Sequence, residues 1–307
     1  MHQFSIITPT YNRAKYLPRI YNSLLQQGNI DLEWIIVDDG SSDNTKEVIN
    51  NFNKIFEIKY IFQINSGKPT AVNAGIQIAD SYISIYLDSD DIFCPDVLKT
   101  VWTYFDKKNC RFEHNCVCLS GLSQYNNGEI VDGKFPYDYF VSDEIRYIWN
   151  KSNCGDRCDF FVTEILRQYP YPIFKNEKNI APSIIYARIA LVYKTIYVNK
   201  IFQEKEYLHG GLSTQNYYIK YPLGAELVFN ERTIFPFNLI LQIKHSALYI
   251  FFAKINHKNN IFSNAKNKLI FPLGLCTYYI YLCKKNLEKY NFFSFLRKKE
   301  RKIFSLK

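Results

Sequence analysis

The sequence contains no C-x-x-C pair, and no G-x-G-x-x-G motif follows its first apolar segment. Cys116 and Cys118 are one residue apart and Cys154 and Cys158 are three residues apart, and neither spacing is usual for zinc. The missing glycine motif argues against a dinucleotide oxidoreductase. An internal repeat and a low-complexity linker are also missing. The sequence therefore favours a globular chain without a zinc finger or a repeat architecture.

Long apolar runs are also scarce. Residues 269–283 form a run of 15 residues without a charge, which includes Pro272 and Gly274. Because a membrane-spanning helix needs about 20 apolar residues, we expect this run not to cross a bilayer. The amino terminus leads directly into a strand pattern, so we expect no signal peptide and a cytoplasmic protein with reduced thiols.

Positive charge is concentrated near the carboxyl terminus. The net charge is +9, and residues 225–307 hold 15 Lys and Arg against 4 Asp and Glu. The rest of the chain is close to neutral, with 23 basic against 25 acidic residues. A basic segment with interleaved aromatic residues suggests an anionic surface as a partner.

The first third of the chain alternates strand and helix patterns. Apolar runs predict strands at 3–8, 32–37, 58–64 and 82–87, and helical patterns follow at 14–27, 44–52, 70–79 and 95–106. This alternation predicts a parallel α/β sheet with right-handed crossovers. Polar or acidic residues follow every strand, and the carboxyl ends of parallel strands meet at one edge, so we expect a ligand site there.

The pattern changes after residue 105. We predict strands at 116–123, 196–198 and 201–207, a loop that enters a strand within 155–163, and helices at 142–149, 164–168 and 182–192. Three apolar helical segments follow, at 216–229, 234–254 and 267–285. The chain therefore divides into a mixed α/β region, 1–215, and a helical region, 216–307.

The segment Asp88-Ser89-Asp90-Asp91 directly follows the fourth predicted strand. Three carboxylates so close together repel one another unless a cation balances them. Hard divalent ions take oxygen ligands and bridge to phosphate oxygens. Two interpretations stay open on this segment alone: a metal held between the protein and a diphosphate, or an acidic turn that caps the next helix.

Four motifs in order carry a family resemblance: TPTYNR at 8–13, VDDGSSD at 37–43, NSGKPTAVNAGI at 65–76 and LDSDD at 87–91. Together they resemble the nucleotide-binding half of an inverting family-two glycosyltransferase with the GT-A fold. A weaker match over 155–213 resembles a bacterial branch that builds surface glycans. The resemblance implies a GT-A α/β fold with a mostly parallel central sheet flanked by helices. Residues 1–105 would bind the nucleotide, 106–215 the acceptor, and 216–307 would form a basic helical extension.

The resemblance also implies roles for single residues. Tyr11 would stack near the base, Asp39 would accept from a base N–H, Asp38 would support that loop, and Asp88 would contact the ribose. Asp90, together with Asp88, would hold Mn²⁺ or Mg²⁺ against the phosphates. The complete set of implied nucleotide-binding residues is Pro9, Tyr11, Asn12, Asp38, Asp39, Lys68, Asn73, Asp88 and Ser89.

The general base is harder to assign. The family places an acidic residue in the second half of the domain, and the best match is Glu177, with Asp156 and Glu164 as rivals. The related branch often carries another acid a few residues later, where this chain has Pro182-Ser183. Glu177 could equally be a loop carboxylate without a chemical role. His209 is a further candidate metal ligand, or a histidine with a structural role only.

The implied activity is transfer of a sugar from a nucleotide-sugar, with UDP as the expected nucleotide, to a glycan or lipid-linked acceptor. We expect a peripheral position at the cytoplasmic face of the inner membrane, with a homodimer as an alternative role for the helical extension, and no nucleic-acid partner. Two other functions compete. A catalytically inactive nucleotide-binding protein would not need the intact DSDD segment, and a nucleotidyltransferase would usually carry a glycine-rich phosphate loop, which TPTYNR lacks.

Overall fold

A computed structural model of the chain describes residues 1–105, 115–143, 156–206 and 217–284. These residues form two compact units. The first contains 1–105, 115–143, 156–173 and 188–206, and the second contains 174–187 and 217–284. Segment 174–187, which the sequence pattern assigned to the α/β region, thus clusters with the carboxyl-terminal helices.

The first unit contains one sheet and the helices around it. The described strands are β1 (His2–Thr10), β2 (Leu32–Asp38), β3 (Glu57–Phe62), β4 (Ser81–Tyr86), β5 (Ile92–Phe93), β6 (Cys116–Tyr125), β7 (Tyr139–Ser142), β8 (Arg157–Val162) and β9 (Lys194–Lys205). The described helices up to residue 190 are α1 (Leu17–Leu25, after a 3-10 turn at Ala14–Tyr16), α2 (Thr45–Asn50), α3 (Lys68–Ile78), α4 (Val97–Phe105), α5 (Thr163–Gln168) and α6 (Ser183–Ala190).

The described strands join in the order β3-β2-β1-β4-β8-β6-β9-β5, with β7 also paired to β9. Strands β1 to β4 are mutually parallel, which confirms the prediction for the first third of the chain. Beyond β4 the sheet is mixed, because β8 runs antiparallel to both β4 and β6. The ladder between β4 and β8 is short and contains two residue pairs, Ile83 with Val162 and Ser84 with Phe161.

These pairings place many loops at one edge. Since β6 and β9 are parallel to each other and β8 is antiparallel to β4 and β6, strands β1, β2, β3, β4, β6 and β9 all run in the same direction. Their carboxyl ends therefore share an edge with the amino ends of β5 and β8. We call this edge the polar rim. The acidic segment 88–91 lies on it, between β4 and β5.

The core lies where the apolar faces of the sheet and its helices meet. Helix α1 buries Leu17, Ile20 and Leu24, as its predicted spacing indicates. Trp34 on β2 is fully buried, and its Nε1 donates to Thr8 Oγ1 at 2.9 Å. Aromatic residues of both halves of the sheet belong to the same apolar cluster, among them Phe4, Phe93, Phe160 and Phe202.

Some predicted boundaries differ from the structure. Helix α4 begins at Val97 rather than at 95, because Asp96 has a φ of 57° and cannot continue a right-handed helix. The two strands predicted at 196–198 and 201–207 are one strand, β9. The helix predicted at 142–149 falls almost wholly outside the described residues, and Ser142 itself ends β7.

The second unit is helical in its described part. After the amino-terminal half of α6 it contains α7 (Tyr217–Lys220), α8 (Pro222–Arg232), α9 (Leu239–Ile255), α10 (Ile261–Asn264) and α11 (Phe271–Lys284). Helix α9 is the centre of this unit, since residues 245–253 are all buried. None of the helices in the described residues combines the length and the apolar character that crossing a bilayer requires.

Gly121 on β6 offers a test of packing in the sheet. A Cβ at this position would overlap the ring of Phe202 on β9. We expect Gly121→Ala to lower the free energy of unfolding by about 1–3 kcal/mol, the usual cost of overpacking. Urea unfolding monitored by tryptophan fluorescence measures this.

The adjacent Ser120→Ala is the matched control for that test. Ser120 is fully buried, and its hydroxyl has no hydrogen-bond partner among the described residues. Its loss should change stability by no more than about 0.5 kcal/mol or raise it slightly. Equal unfolding midpoints for the two variants would contradict the close approach of β6 and β9.

Candidate active site

Two lysines form ion pairs with carboxylates of the acidic segment 88–91. Lys68, the first residue of α3, places its Nζ 2.5 Å from Asp88 Oδ1. Lys205, the last residue of β9, places its Nζ 2.8 Å from Asp91 Oδ2. Asp90 forms no ion pair with any residue that the structure describes. Of the three carboxylates, Asp90 is therefore the one left for an external cation.

Burial and neighbouring charges act on these carboxylates in different directions. Burial works against ionisation of Asp88, but Lys68 and Lys205 outweigh it and lower the pKa of this carboxyl. Burial, and then the charge of Asp88, raise the pKa of Asp90. Burial also raises the pKa of Asp91, although Lys205 opposes this. The surroundings thus favour the ionised form of Asp88 and disfavour the ionised forms of Asp90 and Asp91.

Lys205 is a site residue that sequence reasoning missed. It is 14% exposed, and besides Asp91 its Nζ lies 3.8 Å from Asp156 Oδ2. Burial favours the neutral amine, but Asp91, Asp156 and Asp88 outweigh it and raise the pKa of Lys205. Lys205 lies inside the strand predicted at 201–207, but its partner Asp91 stands 114 residues away in the chain, so no local pattern indicated the pair.

The loop after β1 is tied to the loop after β2. Asn12 has a left-handed φ of 52°, and its backbone N–H donates to Ser41 Oγ at 2.8 Å. Its side-chain Oδ1 accepts from the backbone N–H of Ser42 at 2.8 Å. The preceding Tyr11 is 50% exposed, whereas Pro9 is buried in β1. The ring of Tyr11 is therefore open to a stacking partner on the polar rim.

Two aspartates organise the loop after β2. Asp38 Oδ1 accepts from the backbone N–H of Ser41 at 2.7 Å and Oδ2 accepts from the hydroxyl of Tyr60 at 2.8 Å. Asp38 thus links its own loop to β3, and its expected supporting role stays a prediction. The carboxylate of Asp39 accepts three hydrogen bonds. The donors are the side-chain amide of Gln63 and the backbone N–H groups of Ser66 and Gly67. These bonds hold the loops after β2 and β3 together and leave little of this carboxylate for a ligand.

Asn73 has contacts that differ from its expected role. Its Nδ2 donates to the carbonyl of Tyr171 at 2.9 Å, and its Oδ1 accepts from the N–H of Tyr171 at 2.8 Å. Both ends of the amide are therefore used in fixing the segment after α5 to α3. These contacts indicate a structural role, while the neighbouring Lys68 at the start of α3 does reach the acidic segment.

The candidate bases lie in different places. Asp156 precedes β8, whose amino end is on the polar rim, and its side chain is 52% exposed. Glu164 follows β8 at the opposite edge of the sheet and pairs with Arg167. Glu177 belongs to the second unit, and His209 falls outside the described residues. Ser89, also expected to contact the nucleotide, is buried next to Asp88.

Glu177 caps a helix. Its Oε1 accepts from the backbone N–H of Leu223 at 2.6 Å, and its Oε2 accepts from that of Gly224 at 2.8 Å, in the first turn of α8. Burial raises the pKa of Glu177, and the two backbone N–H groups oppose this. A carboxylate at a helix amino terminus satisfies unpaired donors and interacts favourably with the helix dipole. Glu177 therefore has a structural role whether or not it also acts in chemistry.

A second cluster lies at the other edge of the sheet. Ligand atoms of His2, Glu33 and Glu57 lie within 4.8 Å of one another. Lys59 Nζ is 2.5 Å from Glu33 Oε2, and His2 Nδ1 is 2.6 Å from Asp31 Oδ1. The hydrogen bond to Asp31 is the largest influence on His2 and raises its pKa. Positive groups of the protein thus already balance this cluster, and it contributes nothing to the polar rim.

Comparison with known families identifies the family to which the chain belongs. The profile described as Glycosyl transferase family 2 matches residues 5–161, just over half of the chain, and covers the loops after β1 to β4. The chain belongs to glycosyl transferase family 2. The four motifs that carry the resemblance, at 8–13, 37–43, 65–76 and 87–91, all fall within the matched residues.

Curated relatives match this chain over only part of its length. A putative teichuronic acid biosynthesis glycosyltransferase, TuaG of Bacillus subtilis, is 34% identical over 110 residues, which is 35% of this chain and 44% of the relative. Chondroitin synthase of Pasteurella multocida is 41% identical over 142 residues, 46% of this chain and 14% of the relative. The matched region thus spans less than half of either relative.

Solved structures share the fold over a larger part of the chain. The structure of Staphylococcus aureus TarS 1-349 in complex with UDP-GlcNAc has a TM-score of 0.61 and 18% identity, and the match covers 89% of this chain and 79% of that one. The likeness shows a GT-A-type glycosyltransferase fold, in agreement with the expected α/β class.

The pair of Lys205 and Asp91 can be tested by mutation. Lys205→Met leaves a buried carboxylate without its counter-ion, so we expect the free energy of unfolding to fall by about 3–5 kcal/mol. The double variant with Asp91→Asn should regain much of this loss, and a double-mutant cycle in urea measures the coupling. Lys194→Met, at the exposed start of β9, is the matched control and should change little. Strictly additive effects of the two substitutions would contradict the ion pair.

Proposed function

We propose that this glycosyltransferase moves a sugar from a nucleotide-sugar, with UDP as its nucleotide, to a glycan or lipid-linked acceptor in bacterial surface polysaccharide synthesis. The observation that carries the proposal is the polar rim, where exposed Tyr11, Lys68 and the acidic segment 88–91 lie on the same edge of the sheet. Relatives support the substrate class: TarS is described as a poly(ribitol-phosphate) N-acetylglucosaminyltransferase, and its structure contains UDP-GlcNAc.

The residues present fit a divalent metal. Mg²⁺-type sites at phosphates use one or two protein carboxylates and complete the shell with phosphate oxygens and water. Asp90 offers an uncompensated carboxylate, while Asp88 is a third exposed beside it and can share the ion. When bound, Mn²⁺ or Mg²⁺ would supply positive charge against the diphosphate leaving group. Lys68, from the other side of Asp88, would add to that charge.

The reaction proposed is a single displacement with inversion. The acceptor hydroxyl oxygen bonds to the anomeric carbon of the sugar, the bond from that carbon to the diphosphate oxygen breaks, and the hydroxyl proton passes to a carboxylate. Glu177 stays our prediction for that carboxylate on the basis of the resemblance. Asp156 is its principal rival, because it lies on the polar rim near Lys205.

The competing functions make different predictions in one assay. A nucleotide-binding protein without activity would bind UDP and Mn²⁺ but neither transfer nor hydrolyse the sugar. A nucleotidyltransferase would release pyrophosphate from a nucleoside triphosphate. Incubation with a panel of UDP-sugars and Mn²⁺, followed by detection of free UDP, supports the proposal if UDP is released. Failure across UDP-, GDP- and dTDP-sugars would overturn it.

Asp90→Asn tests the metal. We expect this variant to lose the rise in melting temperature that UDP with Mn²⁺ gives to the wild type, since ligand binding stabilises by mass action. Its own stability should hold, because Asp90 lies in a loop rather than in the core. The matched control is Asp96→Asn, which makes the same charge change at an exposed position outside the acidic segment. A wild-type Mn²⁺-dependent shift in Asp90→Asn would contradict the assignment.

Glu177→Gln separates catalysis from helix capping. As the base, Glu177 should be needed for transfer but not for donor binding, so we expect transfer to slow by about 10²-fold or more. As a cap alone, its replacement should instead lower stability by about 1 kcal/mol and leave the rate per folded enzyme unchanged. Single-turnover rates and thermal unfolding distinguish the two.

Two companion variants complete that experiment. Asp156→Asn should instead be the variant with the reduced transfer rate if the general base lies on the polar rim. Glu164→Gln, which changes an exposed glutamate at the opposite edge, serves as the control and should keep the wild-type rate. Loss of activity in Glu164→Gln would instead assign the base to Glu164, the remaining rival.

The proposal also includes a place of action. We propose that residues 225–307 hold the enzyme at an anionic membrane surface, where a lipid-linked acceptor would be presented. These residues include 15 basic and 4 acidic side chains, which supports the proposal. Each basic residue near an anionic leaflet contributes about 1 kcal/mol to membrane binding.

A further inference from the structure

Helix α11 carries an apolar stripe on its exposed side. Residues of this helix that point away from the unit recur at a spacing of three or four, so they lie on one face. Together with Leu269, two positions before the helix, those that share this face are Pro272, Leu273, Cys276, Tyr279 and Ile280. We call this set the α11 stripe. Leu269 is 89% exposed and Ile280 is 57% exposed, and no member of the stripe carries a charge.

The packing of α11 fixes the direction of this stripe. Phe271, Gly274 and Tyr278 face α9 and are buried. A Cβ at Gly274 would overlap Ser246 and lie 3.0 Å from the backbone nitrogen of Ala247. The two helices therefore approach at backbone distance, and α11 cannot roll to bury the stripe without losing this contact.

The charges around the stripe are of one sign. Between residues 225 and 284 the chain has two acidic residues, Glu226 and Glu231, and both are engaged within the unit. Glu226 accepts from Asn256 at 2.7 Å, and Glu231 is buried with Lys266 3.4 Å away. Among the side chains of this range that the structure describes, the exposed charged ones are Lys254, Lys258, Lys266 and Lys268.

One of these lysines borders the stripe directly. Lys254 Nζ lies 5.2 Å from the ring centroid of Tyr279 and 3.3 Å from its hydroxyl. Lys268 adjoins Leu269 in the chain. An apolar face with basic residues beside it matches a surface that is apolar inside and anionic outside.

A second copy of the chain fits the stripe less well. A stable dimer buries about 800 Å² per partner from roughly 20–30 residues, and the stripe has far fewer. Two-fold pairing would also bring the same lysines of both copies together, and like charges oppose that contact. An anionic bilayer accepts the apolar side chains and pairs with the lysines at once.

We propose that the α11 stripe is the face by which this enzyme contacts the membrane, with the helix lying along the headgroup region of an anionic bilayer. The proposal rests on the membrane placement given above and names the surface responsible. It does not depend on the donor sugar or on the general base.

Cys276 allows a direct test because it is an exposed cysteine within the stripe, whereas Cys116, Cys118 and Cys158 are buried. The probe is an environment-sensitive fluorophore on Cys276 of the full chain, with Cys94, Cys110, Cys154 and Cys283 replaced by serine. Vesicles contain phosphatidylcholine alone or with 30% phosphatidylglycerol. We expect a blue shift and a several-fold rise in emission with the anionic vesicles only.

The control label is placed through Lys99→Cys in a chain that also carries Cys276→Ser. Residue 99 is exposed on α4 in the first unit, so its label should stay unchanged with either vesicle. An equal response at both positions would show non-specific adsorption and overturn the proposal.

A second measurement uses unlabelled protein. Leu273→Asp with Ile280→Asp places two charges on exposed positions, so folding should be unaffected, and we expect binding in vesicle co-sedimentation to weaken at least tenfold. Ile55→Asp, an equally exposed apolar position in the first unit, is the control and should bind as the wild type does.

The outcomes separate the two proposals. Sedimentation of the wild type with a silent Cys276 label would overturn the α11 stripe but leave the membrane placement standing. Absence of sedimentation at low salt would overturn both. A label response without vesicles that grows with protein concentration, together with a dimer mass in light scattering, would assign the stripe to a second copy. UDP release is measured on the same samples and reports on the enzymatic proposal separately.

Discussion

Charge balance at the end of β4 is the constraint on which the site depends. Three carboxylates within four residues are stable together only if positive charge is brought to them. Lys68 comes from the next helix back in the chain, and Lys205 comes from the last strand of the sheet. The acidic segment is therefore not complete within the parallel strands β1 to β4 and their helices. It needs β9 in register with β6 and β5, so assembly of the second half of the sheet sets the electrostatics of the first.

The loops around this segment are held by hydrogen bonds of the protein itself. Asn12 joins the loops after β1 and β2, and Asp39 joins those after β2 and β3. Each of these bonds orders backbone that would otherwise lose conformational entropy when a ligand binds. A rim built in this way presents its remaining free groups, such as the ring of Tyr11, in a fixed arrangement before the substrate arrives.

Local sequence patterns predicted the first four strands and their helices well, because each is a short segment with its own hydrophobic period and turn residues beside it. The loop-supporting role of Asp38 came from the family resemblance instead, and its partner Ser41 is only three residues away. Contacts distant in the chain were not accessible in this way. Asn73 binds the backbone of Tyr171, and Lys205 binds Asp91, across 98 and 114 residues. Contacts between residues so far apart in the chain leave no periodic pattern in the sequence.

Motif resemblance failed to show a structural role for one residue for a related reason. Glu177 matches a family position by sequence, but its contacts with Leu223 and Gly224 depend on where α8 begins. The grouping of 174–187 with the carboxyl-terminal helices has the same origin. Composition shows that the last quarter of the chain is basic and apolar, but only the packing of α11 on α9 shows which side chains remain outside.

The short ladder between β4 and β8 has a mechanical consequence. Two residue pairs and the buried hydroxyls of Ser84 and Thr163, 2.8 Å apart, connect the parallel half of the sheet to the mixed half. Within the parallel half the ladders are longer, such as the seven pairs between β1 and β2. We therefore expect a movement of the two halves of the sheet against each other to strain few backbone hydrogen bonds at the ladder between β4 and β8. This ladder lies beside the acidic segment and separates the loops of β1 to β4 from those of β6, β8 and β9.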